Sequence, residues 1–327
     1  MLPALLLPVP AAAAAPAPAE GARTLCSIRD PRIPESSGLA ASADALWTVN
    51  DGGSRLRVFQ LDRSCRVRRT IEAGLDPYDV EDLARAADGT LWLADTGDNG
   101  FNRKTVAVER LRPDGTAELF RLTYPDGPHD AEALLLDSSG RLYIATKEPL
   151  TSTVYTPDRQ LSASRPTPLR QVAAVALAPT GTAGGPGTAG QVLVTGGAVS
   201  ADGRQVVLRT YTDAYVWSAP ERDVEAALRS GDRRRIPLPA TAQGEAVAFS
   251  ADGRALLTST EGLPGAVHEV SLGETSAPAR KPAGTPPAAG VEDSSSPAGD
   301  LVRTLLLPIG AVVLVGGLVS WLLVGRH

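Results

Sequence analysis

The sequence predicts an all-β fold: a β-propeller of five blades, closed by its own N-terminal strand and followed by one C-terminal transmembrane helix. Three observations predict it. A strand–turn–strand unit returns five times, a strand-like segment precedes the first unit, and an uncharged apolar run lies near the C-terminus.

The repeating unit has an acidic start, a short apolar strand, a tight turn and a second strand. It reads ESSGLAASADALWTVNDGG from Glu35, DVEDLARAADGTLWLADTGDN from Asp79 and DAEALLLDSSGRLYIATKE from Asp130. It returns as GEAVAFSADGRALLTSTEG from Gly244, with a divergent copy, TGGAVSADGRQVVLRTYTDAYVW, from Thr195. Asp88-Gly89, Ser139-Gly140, Asp202-Gly203 and Asp252-Gly253 mark the hairpin turns. Aligned starts are separated by 44 (37 to 81), 51 (81 to 132), 63 (132 to 195) and 50 (195 to 245) residues. A near-constant period of about 40–50 residues belongs to four-stranded propeller blades. An open β-sandwich gives no reason for such a period. The long interval holds PTGTAGGPGTAG at 179–190, read as a flexible insertion. A degenerate copy hidden there would make six blades.

The last copy has too few residues before the chain turns polar to supply four strands. Residues 22–33, ARTLCSIRDPRI, have no unit of their own. The economical solution is that this segment completes the last blade and closes the ring, which removes exposed sheet edges.

The ends organise the rest. LLLPIGAVVLVGGLVSWLLV, 305–324, is uncharged and long enough to span a bilayer, and Arg326 follows it. Residues 274–300 are rich in Pro, Ala and Ser and cannot offset their ordering entropy by burial, so they read as a disordered stalk. Residues 1–21 resemble a signal peptide in their apolar run and Ala-Pro-Ala site, although no basic residue precedes the run. The expected organisation is a leader (1–21), a propeller (22–273), a stalk (274–300), and a transmembrane helix with a short cytoplasmic end (301–327). This places the propeller outside the cell membrane on a single-pass anchor, with the lipid bilayer as one partner. A cytoplasmic head on a tail anchor is the alternative, and the paired cysteines and the stalk favour export.

Composition narrows the function. A net charge of −5 offers no basic face for nucleic acid. Cys26 and Cys65 are too few for a disulfide scaffold and lack CxxC metal spacing; a single bridge between them suits an exported domain. No G-x-S-x-G elbow, Ser/His/Asp set or nucleotide-binding glycine motif occurs.

Acidic residues recur at or just before the first strand of four units: Glu35, Asp79, Glu81, Asp130, Glu132 and Glu245. Asp51, Asp95 and Glu261 lie near the ends of second strands. First strands line a propeller channel, so these positions converge on one mouth. Carboxylates brought together repel unless a cation compensates them, and hard oxygen ligands suit Ca²⁺. Taken singly, such residues also cap turns and tie blades together. Lys147, Arg209 and Arg103 are positioned either to bind an anionic group beside a metal or to form salt bridges with the acidic ring.

The motifs ESSGL, NDGG, DVEDLA, DTGDN and DAEAL resemble those of uncharacterised secreted actinobacterial propellers of the WD40/TolB-like kind, across about residues 26–270. More distantly they are similar to esterase-like phytase propellers. That second resemblance implies Ca²⁺ at an acidic mouth and phosphate-ester hydrolysis, but the phytate site it implies needs many basic residues, and lysine occurs only at 104, 147 and 281. The expected function is an extracellular binding or scaffold module with an unidentified ligand or protein partner and a Ca²⁺-binding central face. The alternative is a metal-dependent hydrolase of a phosphate ester or lactone.

Overall fold

The structure, a computed structural model, describes residues 21–53 and 55–273. The expected stalk and transmembrane helix lie outside these residues, as does the expected leader up to residue 20. Among the described residues no helix is long and apolar enough to cross a membrane.

After β1 (Ala22–Ile28), the chain forms β2 (Ser36–Ala41), β3 (Ala45–Asn50), β4 (Arg57–Asp62) and β5 (Val67–Glu72), an antiparallel sheet in that order. The second blade is β6 (Val80–Arg85), β7 (Leu91–Asp95), β8 (Val106–Leu111) and β9 (Ala117–Thr123). The third is β10 (Ala131–Leu136), β11 (Leu142–Thr146), β12 (Thr151–Pro157) and β13 (Thr167–Ala176). A short parallel pairing of β13 with β9, at Thr167–Leu122 and Pro168–Thr123, joins these two sheets at their outer edges. The fourth blade is β14 (Val194–Val199), β15 (Gln205–Thr210), β16 (Asp213–Ser218) and β17 (Arg234–Pro237). Its last connection carries α1 (Val224–Arg229), where Asp223 caps the helix by accepting from the Ala226 N–H.

The fifth blade has β18 (Gly244–Phe249), β19 (Ala255–Thr260) and β20 (Gly265–Ser271) from the end of the domain. Its outer strand is β1, antiparallel to β20 from Ala22–Val270 to Ile28–Gly265. The segment without a unit of its own is thus the closing strand. Cys26 on β1 is disulfide-bonded to Cys65 in the β4–β5 turn, stapling the last blade to the first.

The inner strands β2, β6, β10, β14 and β18 neighbour one another in cyclic order, with β18 returning to β2. Apolar clusters fill the gaps between successive blades. Leu83 and Leu93 meet Trp47 and Val58, and Leu134 and Ile144 meet Phe120 and Leu122. Trp217 meets Tyr143 and Val154, Val247 meets Val207, and Phe59 meets Ile28 and Val267. The inner strands approach closely: a Cβ on Gly38 would stand 2.5 Å from the Leu83 nitrogen. The hairpin glycines Gly89, Gly140, Gly203 and Gly253 have positive φ, as the tight turns require.

The long interval is neither a sixth blade nor a loose excursion. Thr180 and Thr182 each donate a hydroxyl to the buried Asp213 carboxylate at 2.8 Å, and Gln191 Oε1 accepts from the Thr180 and Gly181 N–H groups. These bonds pin the insertion to the fourth blade.

Candidate functional site at the acidic channel mouth

One backbone bond recurs at the mouth. The residue just past the second strand, one place beyond its end or two in the second blade, donates its N–H to the carbonyl of the residue before the first: Asp51 to Glu35, Gly97 to Asp79, Lys147 to Asp130 and Glu261 to Gln243. Two residues after each of these carbonyls the inner strand carries a β-bulge, spanning Ser37, Glu81, Glu132 and Glu245, and the fourth blade's inner strand has its own bulge at Thr195. A bulge re-aims a side chain that simple alternation would send elsewhere. Three blades present a carboxylate there. The other two present hydroxyls that tie blades together: Ser37 Oγ donates to the Glu81 carbonyl at 2.5 Å, and Thr195 Oγ1 to the Gly244 and Glu245 carbonyls at 2.9 and 3.1 Å.

The carboxylates form two trios that share one member. Asp51, Asp79 and Glu81 bring ligand oxygens within 4.8 Å of one another, and so do Glu81, Asp130 and Glu132. Oxygens about 2.4 Å from a shared Ca²⁺ span separations of this order. Glu81 is only 3% exposed, and it belongs to both trios. Gly97 leaves the room: a Cβ there would lie 2.1 Å from Glu81 Oε1 and 2.4 Å from Asp79 Oδ2.

Electrostatics follow from this crowding. Burial, then the charges of Glu132, Asp51, Asp79 and Asp130, push the Glu81 carboxyl well above its ordinary range. Burial and the neighbouring Asp51 raise Asp79 to about 7. Burial and the Glu261 charge raise Asp51. Burial also raises Asp130, against the Asp98 N–H that donates to its Oδ1 at 2.8 Å. Burial raises Glu132 despite the opposing Lys147 ammonium, and takes Glu245 to about 7 despite Lys147. A cation in the mouth would relieve every one of these shifts.

The expected ligand set therefore divides. Asp51, Asp79, Glu81, Asp130 and Glu132 come together, with Glu245 beside Glu132 and Lys147. Glu35 and Glu261 stand at the rim, coupled to Asp51 by charge. Asp95 does not join them. It lies two residues before the position equivalent to Asp51, and its carboxylate accepts from the Tyr78 and Asp79 N–H groups (3.0 and 2.9 Å) and from Arg103 (2.8 Å). Asp95 instead fixes the backbone that carries Asp79.

The three cations expected at an anion site are engaged internally. Arg103 bonds Asp95 and the Gly97 carbonyl and lies against the Tyr78 ring. Arg209 is fully buried and donates to the Thr210, Ala246, Ser259 and Tyr211 carbonyls. Lys147 is ion-paired with Glu132 over the Tyr211 ring. Burial would lower its ammonium, but Glu132, Tyr211 and Glu245 more than offset that and raise it.

Sequence reasoning passed over Asp82. Its carboxylate is fully buried on the channel axis and accepts N–H bonds from Leu83, Leu134 and Gly197 at 2.8, 2.9 and 3.2 Å, joining three inner strands. Alternation places Glu81 and Asp82 on opposite faces of a strand. The bulge between Val80 and Asp82 lets both turn inward.

Comparison with protein-family models finds no match, and comparison with curated proteins finds none. Among solved structures, a putative gluconolactonase is 16% identical, covering 79% of this chain and 93% of that one, with a TM-score of 0.45. A gluconolactonase from Xanthomonas campestris is 15% identical over 80% of this chain and 98% of that one, with a TM-score of 0.43. A chain of a nidogen/laminin complex is 17% identical over 69% and 72%, with a TM-score of 0.41.

Proposed function

We propose that this protein is a cation-dependent binding propeller held at the outer surface of a cell, with Ca²⁺ bound by Asp51, Asp79 and Glu81 at the channel mouth. The observation that carries the reading is Glu81: a carboxylate on a buried residue, shared by two acidic trios, against a glycine where a Cβ would collide with it. Such a group is costly to keep in a fold without a compensating charge. Oxygen-only donors favour Ca²⁺ over softer metals.

The test is calorimetric titration of Ca²⁺ onto the full-length chain and its Glu81→Gln variant. The variant should lose affinity by at least about tenfold, while its melting temperature in EDTA holds or rises because a repulsive charge is gone. Unchanged affinity would sink the cation reading. A binding role is favoured over hydrolysis because Arg103, Arg209 and Lys147 are all engaged within the fold, leaving none of them free for a phosphate or lactone oxygen. Turnover of a generic phosphate ester or lactone that Glu81→Gln abolishes would reverse that preference. Anchoring through 305–324 and exposure on the 274–300 stalk belong to the same proposal. Protease added to intact cells should release the propeller, and full protection would put the head inside.

A further inference from the structure

Among the described residues four large apolar side chains stay exposed: Tyr78 (66%), Phe101 (55%), Leu150 (54%) and Leu263 (42%). All four stand on loops at the acidic end of the channel. Tyr78 adjoins Asp79, Phe101 follows Asp98 by three residues, Leu150 follows Lys147 by three, and Leu263 follows Glu261 by two. The opposite end, where the inner strands finish at Ala41, Arg85, Leu136, Val199 and Phe249, contributes none. Scattered exposed apolar residues need no explanation, but confinement to one face does.

Two of the four also sit in an unfavourable backbone conformation. Phe101 has φ 51° and Leu150 φ 67°, the left-handed region where glycine is at ease and bulky residues are strained. Local bonds hold them there: the Phe101 N–H donates to the Asp98 carbonyl at 2.8 Å, and the Leu150 carbonyl accepts from the Leu177 N–H at 2.8 Å. For folding alone, glycine would serve both positions better. A bulky apolar group that is exposed and strained points to use in recognition.

At the Leu263 corner of this rim the charge says what it recognises. Glu35 is exposed and Glu261 half-buried. Among the described residues neither forms an ion pair, and Glu261 accepts only an amide bond, from Gln243 at 3.2 Å. Leu263 stands in the same corner, since the adjacent Gly262 donates to the Pro34 carbonyl. We propose that this face docks a polypeptide segment in which a lysine or arginine lies between apolar residues. The basic group is received by Glu35 and Glu261, and its apolar neighbours rest on Leu263, Leu150, Phe101 and Tyr78. The same carboxylates repel an anionic lipid surface. This goes beyond the cation site and does not require it.

The probe is a labelled peptide with one lysine among leucine and phenylalanine residues, together with a twin carrying glutamate instead. Both are titrated onto the full-length chain, with Ca²⁺ and with EDTA. The lysine peptide should bind saturably and weaken with added salt, and the glutamate twin should not bind. Glu35→Gln should weaken the lysine peptide. Phe101→Gly with Leu150→Gly should weaken it about tenfold while the melting temperature holds or rises, because glycine suits both positions. Equal binding of the twins, wild-type affinity in the glycine variant, or no binding up to about 1 mM would overturn the proposal. So would preferential binding to phosphatidylserine vesicles. Loss of Ca²⁺ affinity or its absence bears on the cation site alone.

Discussion

Gly97→Ala tests the mouth with the smallest available change. Gly97 has no positive φ, so alanine is acceptable to the backbone and the perturbation is the methyl group itself. That methyl would arrive 2.1 Å from Glu81 Oε1 and 2.4 Å from Asp79 Oδ2. Non-bonded atoms settle near 3.5 Å, so Glu81 must retreat by about 1.4 Å. Ca²⁺–oxygen bonds tolerate only a few tenths of an ångström, and ligand displacement of this kind costs about 10–100-fold in metal affinity. The crowding itself should destabilise the cation-free domain by about 1–3 kcal/mol. Calorimetric Ca²⁺ titration and chemical denaturation in EDTA read the two effects separately. If the alanine variant binds Ca²⁺ like the parent and unfolds at the same denaturant midpoint, the carboxylates do not converge against residue 97 and the reasoning fails.

Asp82→Ala should cost about 3–5 kcal/mol, because the buried N–H groups of Leu83, Leu134 and Gly197 lose their acceptor together. A loss below about 1 kcal/mol in equilibrium denaturation would mean other groups satisfy those donors. The raised values of Asp79 and Glu245, both to about 7, have a defined sign. The folded chain holds these protons where the unfolded chain, with carboxyl values near 4, has lost them. Cation-free stability should therefore fall from about pH 4 to about pH 7, and Ca²⁺ should oppose the fall; a rise across that window in EDTA would contradict the assignment. The Cys26–Cys65 bridge closes a separation of 39 residues. Chain entropy makes that closure worth about 4 kcal/mol, so Cys26→Ser with Cys65→Ser should lower the denaturation midpoint strongly, and an unchanged midpoint would deny the staple its role.

Several features could be read before any coordinates because they depend on local chemistry. Aspartate or serine before glycine marks a turn wherever it occurs, as at Asp88-Gly89 and Asp252-Gly253. The aligned starts at 37, 81, 132, 195 and 245 are the residues that the inner-strand bulges carry. The closing role of residues 22–28 also followed from counting, since the last unit lacked a strand and the first segment lacked a unit.

The site was harder to read because its geometry is set between blades. Asp95 looked equivalent to Asp51 at the end of a second strand, yet the backbone bond from Gly97 to Asp79 shows that glycine holds that place. Arg103 and Arg209 looked available because a sequence does not show which carbonyls or carboxylates a guanidinium will meet across the ring. Asp82 was hidden by the alternation rule that its own bulge breaks. The residues at 179–190 have the composition of a loose insertion, and the buried Asp213, with Gln191 and the Thr241 carbonyl, fixes them.

The sequence by itself determined the repeat, the turns, the closing segment and the concentration of carboxylates at one end, because each depends on residue type and spacing along the chain. Tertiary structure decided which carboxylates share a cation-sized space, which cations are already engaged, and that every large apolar side chain left exposed among the described residues stands on the same face. Those properties depend on distances between blades, and they arise only when the ring closes.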